Sequence, residues 1–134
     1  MIETKDISVI VPVKNEAGNI NGLIDEIGDA LKNFNYEIIY VNDGSTDDTA
    51  IELKNNLKLN KKIRVVSHIN SLGQSAAIRS GILASKSKLI ATLDGDGQND
   101  PSDLPKMIEL INQQKTSMVL VGGVRVKRKD NVAR

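Results

Sequence analysis

The sequence contains no cysteine and no tryptophan, and aromatic residues make up only 2% of its 134 residues. The missing thiols exclude disulfides, thiolate metal sites and a cysteine nucleophile. So few rings leave no visible platform for stacking sugars or bases, and nothing marks a nucleic-acid surface. No apolar run approaches the roughly 18–20 residues that span a bilayer. The start, Met1-Ile2-Glu3-Thr4-Lys5-Asp6, lacks the basic and apolar blocks of a signal peptide. A cytoplasmic chain is therefore expected, with a place at the cytoplasmic face of a membrane open to the full-length protein. There is no G-x-G-x-x-G in the first turn and no G-x-x-x-x-G-K-[ST] anywhere. The standard dinucleotide and P-loop readings lose their support with them.

What is present is ordinary globular composition, 40% hydrophobic and 26% charged, in a length that suits one domain with a real core. The net charge of +1 is unevenly spread. Residues 125–134 hold Arg125, Lys127, Arg128, Lys129 and Arg134 against Asp130, a local +4 that leaves −3 for residues 1–124. Such a basic end is either a solvated tail or a surface for phosphate or anionic lipid. The expected division is an α/β domain over 1–124 and a basic segment over 125–134.

Apolar runs and amphipathic stretches alternate along the chain. Ile7 to Pro12, Tyr36 to Val41, Ile63 to Ser67, Leu89 to Leu93 and Met118 to Val121 read as short buried strands. Between them, Ile20, Leu23, Ile24, Ile27 and Leu31 follow the 3.6-residue period behind a capping Asn19. Further helices are expected from about Asp47 to Asn56, around Ala76 to Leu83, and after Pro101. Strands joined by helical crossovers imply a three-layer α/β/α fold on a mainly parallel sheet. Ligands of such sheets bind outside the carboxyl ends of the strands.

The polar residues with chemistry in them fall at that edge. In Leu89-Ile90-Ala91-Thr92-Leu93-Asp94-Gly95-Asp96-Gly97-Gln98 a buried strand runs into two carboxylates spaced i, i+2, which in extended backbone point to one side. Two carboxylates so close repel unless a cation or proton lies between them. Hard oxygen donors suit Mg2+ or Mn2+, which take one or two carboxylates plus substrate phosphates. Gly95 and Gly97 let a ligand approach the backbone and permit positive φ. Asp-Gly-Asp-Gly is also good loop chemistry, and taken alone the pair would read that way. Asn15 and Glu16 after the first strand and Asp43 after the second share its edge, however, and favour a metal-nucleotide site.

Each of these residues has a plainer alternative. Glu16 suits the start of a helix through the dipole. Asp43 either caps the turn with Ser45 or offers its carboxylate to a nucleobase. Ser45 and Thr46 read as caps rather than nucleophiles, His68 as structural, and Arg79 as an exposed helix residue. Gly73, Gly81, Ala76 and Ala77 are expected to permit close helix–sheet packing.

Four ordered motifs, Val9-Ile10-Val11-Pro12-Val13-Lys14-Asn15-Glu16, Val41-Asn42-Asp43-Gly44-Ser45-Thr46-Asp47-Asp48-Thr49, Gly73-Gln74-Ser75-Ala76-Ala77 and Asp94-Gly95-Asp96-Gly97-Gln98-Asn99-Asp100-Pro101, resemble the family 2 glycosyltransferases with a GT-A fold. The dolichol-phosphate mannose synthase-like, polyprenyl-phosphate branch is the most similar, over about residues 7–125. The resemblance implies a Rossmann-like half of a GT-A fold. Pro12, Val13, Asn15, Glu16, Asp43, Gly73, Asp94 and Gly95 would bind the nucleotide of a GDP- or UDP-sugar. Asp94, Asp96 and Gln98 would hold Mg2+ or Mn2+. Asp94, Asp96 and Arg125 would be the catalytic set, Arg125 meeting phosphate after the fifth strand. Ser71 departs from the family's Asn-x-Gly, which leaves that contact open. The chain is also expected to stop where the acceptor half begins, and so to be inactive alone.

The implied reaction is inverting sugar transfer from the nucleotide to an acceptor, a polyprenyl phosphate in this branch. A sugar hydroxyl acceptor would need a carboxylate base, whereas a phosphate is already an anionic nucleophile. Two rivals share the motifs. One is a haloacid-dehalogenase-type phosphatase with Asp94 as nucleophile and Asp96 as acid/base. The other is a non-catalytic nucleotide-binding domain.

Overall fold

A computed structural model describes residues 5–96 and 100–113 and the backbone of Val119–Val121. The chain runs β1 (Ile7–Val13), α1 (Ile20–Ala30), β2 (Tyr36–Asp43), α2 (Thr49–Leu59), β3 (Ile63–His68), α3 (Gln74–Ala84) and β4 (Leu89–Thr92). A 3-10 turn at Pro101–Asp103 leads into α4 (Leu104–Asn112), followed by β5 (Val119–Val121). The sheet order is β3-β2-β1-β4-β5, and all four strand pairings are parallel. Strand order reverses between β1 and β4, which makes their carboxyl ends the ligand crevice of a doubly wound sheet. The three-layer α/β/α expectation is met.

Strand parity decides which helix each residue meets. Val9, Val11 and Val13 of β1 and Ile38 and Tyr40 of β2 pack on α1, α2 and α4 through Ile20, Leu23, Ile27, Leu53, Leu104 and Ile108. The opposite parity, Ile10, Ile39 and Val41, faces α3 at Ala77. Each fully buried branched side chain there contributes about 1.5–3 kcal/mol. At Gly81 a Cβ would come 2.5 Å from Ile10 Cγ2, so α3 lies on the sheet only because that side chain is absent.

Local chemistry moves several expected boundaries. Asp47 Oδ1 accepts from the Thr49 amide at 2.9 Å and from the Thr49 hydroxyl, so α2 begins at Thr49 and not at Asp47. Asn19 makes no cap bond to α1; its carboxamide donates instead to Glu16 Oε1 at 2.9 Å. Gly73 has nothing within 4 Å of a notional Cβ and sits at φ 100°, so it serves the backbone and not helix packing. Ala77 and Gly81 do pack closely, and Arg79 is exposed.

At the amino edge of the sheet Glu37 is only 2% exposed. Its carboxylate accepts from the Ser8 hydroxyl, from Lys86 N at 2.9 Å and from an Arg64 guanidinium nitrogen at 3.0 Å. The same Arg64 nitrogen donates to Ala84 O at the end of α3. This network ties β1, β2, β3 and the α3–β4 turn together and leaves none of its buried side-chain polar atoms unsatisfied.

Candidate active site

The carboxyl ends of β1, β2 and β4 and the β3–α3 loop enclose a cleft of about 460 Å³. Pro12, Val13, Lys14 and Glu16 form one wall. Asp43, Ser71, Gly73, Gln74 and Ala77 form the second, and Asp94, Gly95 and Asp96 close the third. The four acids Glu16, Asp43, Asp94 and Asp96 thus line one cavity.

The first wall is held by a run of four consecutive amides. Asn15 N donates to Ser45 Oγ at 2.9 Å, Glu16 N to Thr49 Oγ1 at 2.9 Å, and Ala17 N to Asp47 Oδ2 at 3.3 Å. Gly18 N donates to both Glu52 carboxylate oxygens, at 3.0 and 3.1 Å. Asn15 completes the zipper by accepting from the amides of Thr46 and Asp47 at 2.8 and 3.3 Å. It sits at φ 56°, a conformation Asn tolerates better than most residues. Asn15 is therefore turned toward the β2–α2 turn and is not among the cleft-lining residues. Ser45 accepts from the first loop, and the turn's own amide bond, from Ser45 N, goes to Asn42 Oδ1 at 3.1 Å. Neither contact involves Asp43, which overturns the reading of Asp43 as a cap for that turn.

Asp43 faces the β3–α3 loop instead. Its Oδ1 accepts from Leu72 N and from His68 Nδ1, both at 2.8 Å. Its Oδ2 accepts from Ser71 Oγ at 2.9 Å and Gly73 N at 3.0 Å. Burial pushes this carboxyl group up, but the donors from Leu72, His68, Ser71 and Gly73 together outweigh it and hold it well below the usual carboxylate range. His68 Nε2 meets Ser80 Oγ at 2.8 Å. The structural reading of His68 stands, and the residue it serves is Asp43.

The third wall follows β4. Asp94 is half-buried and Asp96 exposed, with Gly95 buried between them. Gly95 does not sit at positive φ. A Cβ there would run into Val13 Cγ1 and lie 3.2 Å from Pro12 O, so this glycine serves close approach between the two loops. Gln74 Nε2 reaches Asp94 Oδ1 at 3.5 Å, linking the second wall to the third. Gly97, Gln98 and Arg125 lie outside the described residues. Among the described residues no group of three or more His, Asp or Glu side chains converges on a metal position. Two hard carboxylates beside an open cleft fit an ion that draws the rest of its shell from a ligand's phosphates. Lys14, Gln74 and Ala77 were not anticipated as cleft residues. Lys14 and Gln74 each directly adjoin a motif residue that was, and that adjacency was the available signal.

Residues 8–134 match the model of the glycosyl transferase family 2, and the chain belongs to that family. It is 32% identical over 134 residues to a dodecaprenyl-phosphate galacturonate synthase of Rhizobium johnstonii, covering 98% of this chain and 39% of that protein. It is 35% identical over 133 residues to an undecaprenyl-phosphate 4-deoxy-4-formamido-L-arabinose transferase of Pseudomonas savastanoi pv. phaseolicola, covering 97% of this chain and 39% of that one. The chain thus spans about two-fifths of the length of these relatives. Among solved structures it resembles a mannosyltransferase of Pyrobaculum calidifontis in complex with GDP-Man and Mn2+. There the TM-score is 0.68 at 18% identity, over 85% of this chain and 33% of that one, a likeness in fold. The GT-A resemblance read from the motifs is thereby met, and the comparisons do not support the phosphatase alternative.

Proposed function

We propose that this chain forms the donor-binding part of an inverting glycosyltransferase that moves a sugar from a nucleoside-diphosphate sugar to a polyprenyl phosphate. The observation that carries it is one cleft at the strand-order reversal, lined by Asp94 and Asp96 together with Glu16 and Asp43. The polyprenyl-phosphate relatives supply the acceptor class.

In this reading Pro12, Val13, Glu16, Asp43 and Gly73 bound the nucleoside end of the donor, and Asp94, Gly95 and Asp96 the diphosphate end. Asp94 and Asp96 (and Gln98) would hold a divalent ion, Mg2+ or Mn2+, which would supply positive charge against the departing nucleoside diphosphate. Lys14 adds a cation on the opposite wall. The acceptor phosphate oxygen forms the new bond at the anomeric carbon as the bond to the diphosphate breaks on the other face, which inverts the configuration. Such a nucleophile needs no proton removed. It needs only cationic positioning, a role this reading gives to Arg125. No helix among the described residues is long and apolar enough to cross a membrane. A lipid-linked acceptor, whatever carries this chain, is met at a membrane surface.

Melting the chain with and without ligand tests the donor site. At 100 times its dissociation constant, UDP or GDP with Mn2+ adds about 2.7 kcal/mol, which at this size raises Tm by about 8–13 °C. An unchanged Tm at millimolar concentration of both nucleotides would remove the proposal's basis.

A further inference from the structure

The loop from β1 to α1 has its backbone fixed residue by residue. The amides of Asn15, Glu16, Ala17 and Gly18 all donate to side chains of the β2–α2 region, and Thr49, which receives Glu16 N, is itself buried. Asn19 N donates back to Glu16 O at 3.0 Å, which closes residues 16–19 into a turn. Gly18 supplies the positive φ, 93°, that a type II turn needs at its third residue. A backbone so held leaves the long Glu16 side chain as the part still free to turn. Asn19 holds that part as well, its carboxamide donating to Glu16 Oε1 at 2.9 Å. Asn19 stands at the N-cap of α1, where Asn is favoured because its side-chain oxygen accepts from a helix amide. Here no such bond is made. Helix capping therefore does not explain where this carboxamide points, whereas Glu16, one of the cleft-lining acids, does.

We propose that Asn19 is a positioning residue for the donor site: it holds one Glu16 carboxylate oxygen so that the other is presented to the nucleoside. This rests on the donor-site reading above and adds to it a residue that is not among those lining the cleft. An ionised carboxylate is acceptor only, so its partner on the nucleoside is a hydroxyl or an N–H. The gain is preorganisation. A carboxylate already in place spares the ligand the ordering of that side chain, and apparent affinity falls with the fraction of molecules in which it lies elsewhere.

Calorimetry and melting of the full-length protein with Mn2+ present test this together. Asn19→Ser keeps a favoured cap residue but is too short to reach Glu16. It should weaken UDP and GDP about 3- to 10-fold, the scale of one hydrogen bond. Its Tm should stay within about 2 °C of the wild type, as for an exposed substitution. Asn19→Asp has the same shape but sets only acceptors beside the Glu16 carboxylate, and should weaken both nucleotides further. In a Glu16→Ala background, Asn19→Ser should change affinity less than about twofold, because no carboxylate is left to place. Unchanged affinity in both Asn19 variants would overturn the proposal. So would the same loss with and without the Glu16 side chain, or a loss tracked by a lower Tm, which is the signature of a merely structural residue. A wild-type protein that binds neither nucleotide would sink the donor-site reading and this role with it, a result distinct from binding that Asn19 does not affect.

Discussion

Glu37 and Asp43 lie on the same face of β2, at its amino and carboxyl ends, and both are nearly buried, at 2% and 5% exposure. Both carboxylates sit below their usual range, because hydrogen bonds to the charged form outweigh the cost of burial. They differ in what surrounds them. Glu37 is closed in by Ser8, the Lys86 amide and Arg64, and its network bridges strands. Asp43 is held by neutral amides, a hydroxyl and His68, and it borders the cleft. A buried acid on this strand therefore does not mark a site by itself. A parallel sheet brings its loops with free backbone amides and glycines to the carboxyl end, and only there does a carboxylate order a wall beside open space.

If the two edges divide labour in this way, variants at one should change chemistry and variants at the other should change stability. The largest expected effect is at the cleft. Asp96→Ala in the full-length protein should cut the rate of sugar transfer about 100-fold or more, the scale for losing one stabiliser of developing charge, with Tm nearly unchanged because Asp96 is exposed. A parallel fall in Tm would mean that Asp96 is structural.

At the closed edge the effect is thermodynamic. Glu37→Ala takes the acceptor from the Lys86 amide and the carboxylate from the Ser8 hydroxyl and Arg64, which keep their bonds to Ser87 and Ala84 O. A loss of about 2–3 kcal/mol is expected, or about 6–15 °C in Tm, while nucleotide affinity stays as it was. A change in affinity larger than the change in stability would break the division. Gly81→Ala probes the α3 contact with Ile10, away from both networks. Overpacking there should cost about 1–3 kcal/mol, read as a lower denaturant midpoint with no change in ligand binding.

The smallest effect is with pH. For both acids the folded-state value lies below the unfolded one of roughly 4, so the unfolded chain takes up protons first on acidification. Their stabilising contribution is fully present above about pH 4–4.5 and is lost as pH falls below it. Plotted from pH 6 to 3, Tm should fall less steeply for Glu37→Gln than for the wild type. Parallel curves would show that the Glu37 network contributes nothing ionisation-dependent.

Much of this was legible in the residues themselves. Short β-branched runs alternating with amphipathic stretches specify parallel strands and crossover helices, because periods of 2 and 3.6 cannot be exchanged. The carboxyl-edge placement of Glu16, Asp43, Asp94 and Asp96 follows from where each apolar run stops. The start of α2 at Thr49 and the bare start of α1 at Asn19 were not legible, since both depend on a competing local bond, from Asp47 in one case and to Glu16 in the other. Nor was the use of Asn15, which looks like a ligand residue at the strand end and is occupied by the 46–47 amides 31 and 32 positions away.

The sequence alone determined the family, the layer order and the edge at which chemistry is found, since each depends on periodicity and motif order within a few residues. Tertiary structure alone decided which buried acid is sealed and which borders the cleft, and which partners each holds. Those partners arrive from 25 to 49 residues away. No local pattern can encode whether a carboxylate's lone pairs are already taken by a loop that folds back onto it.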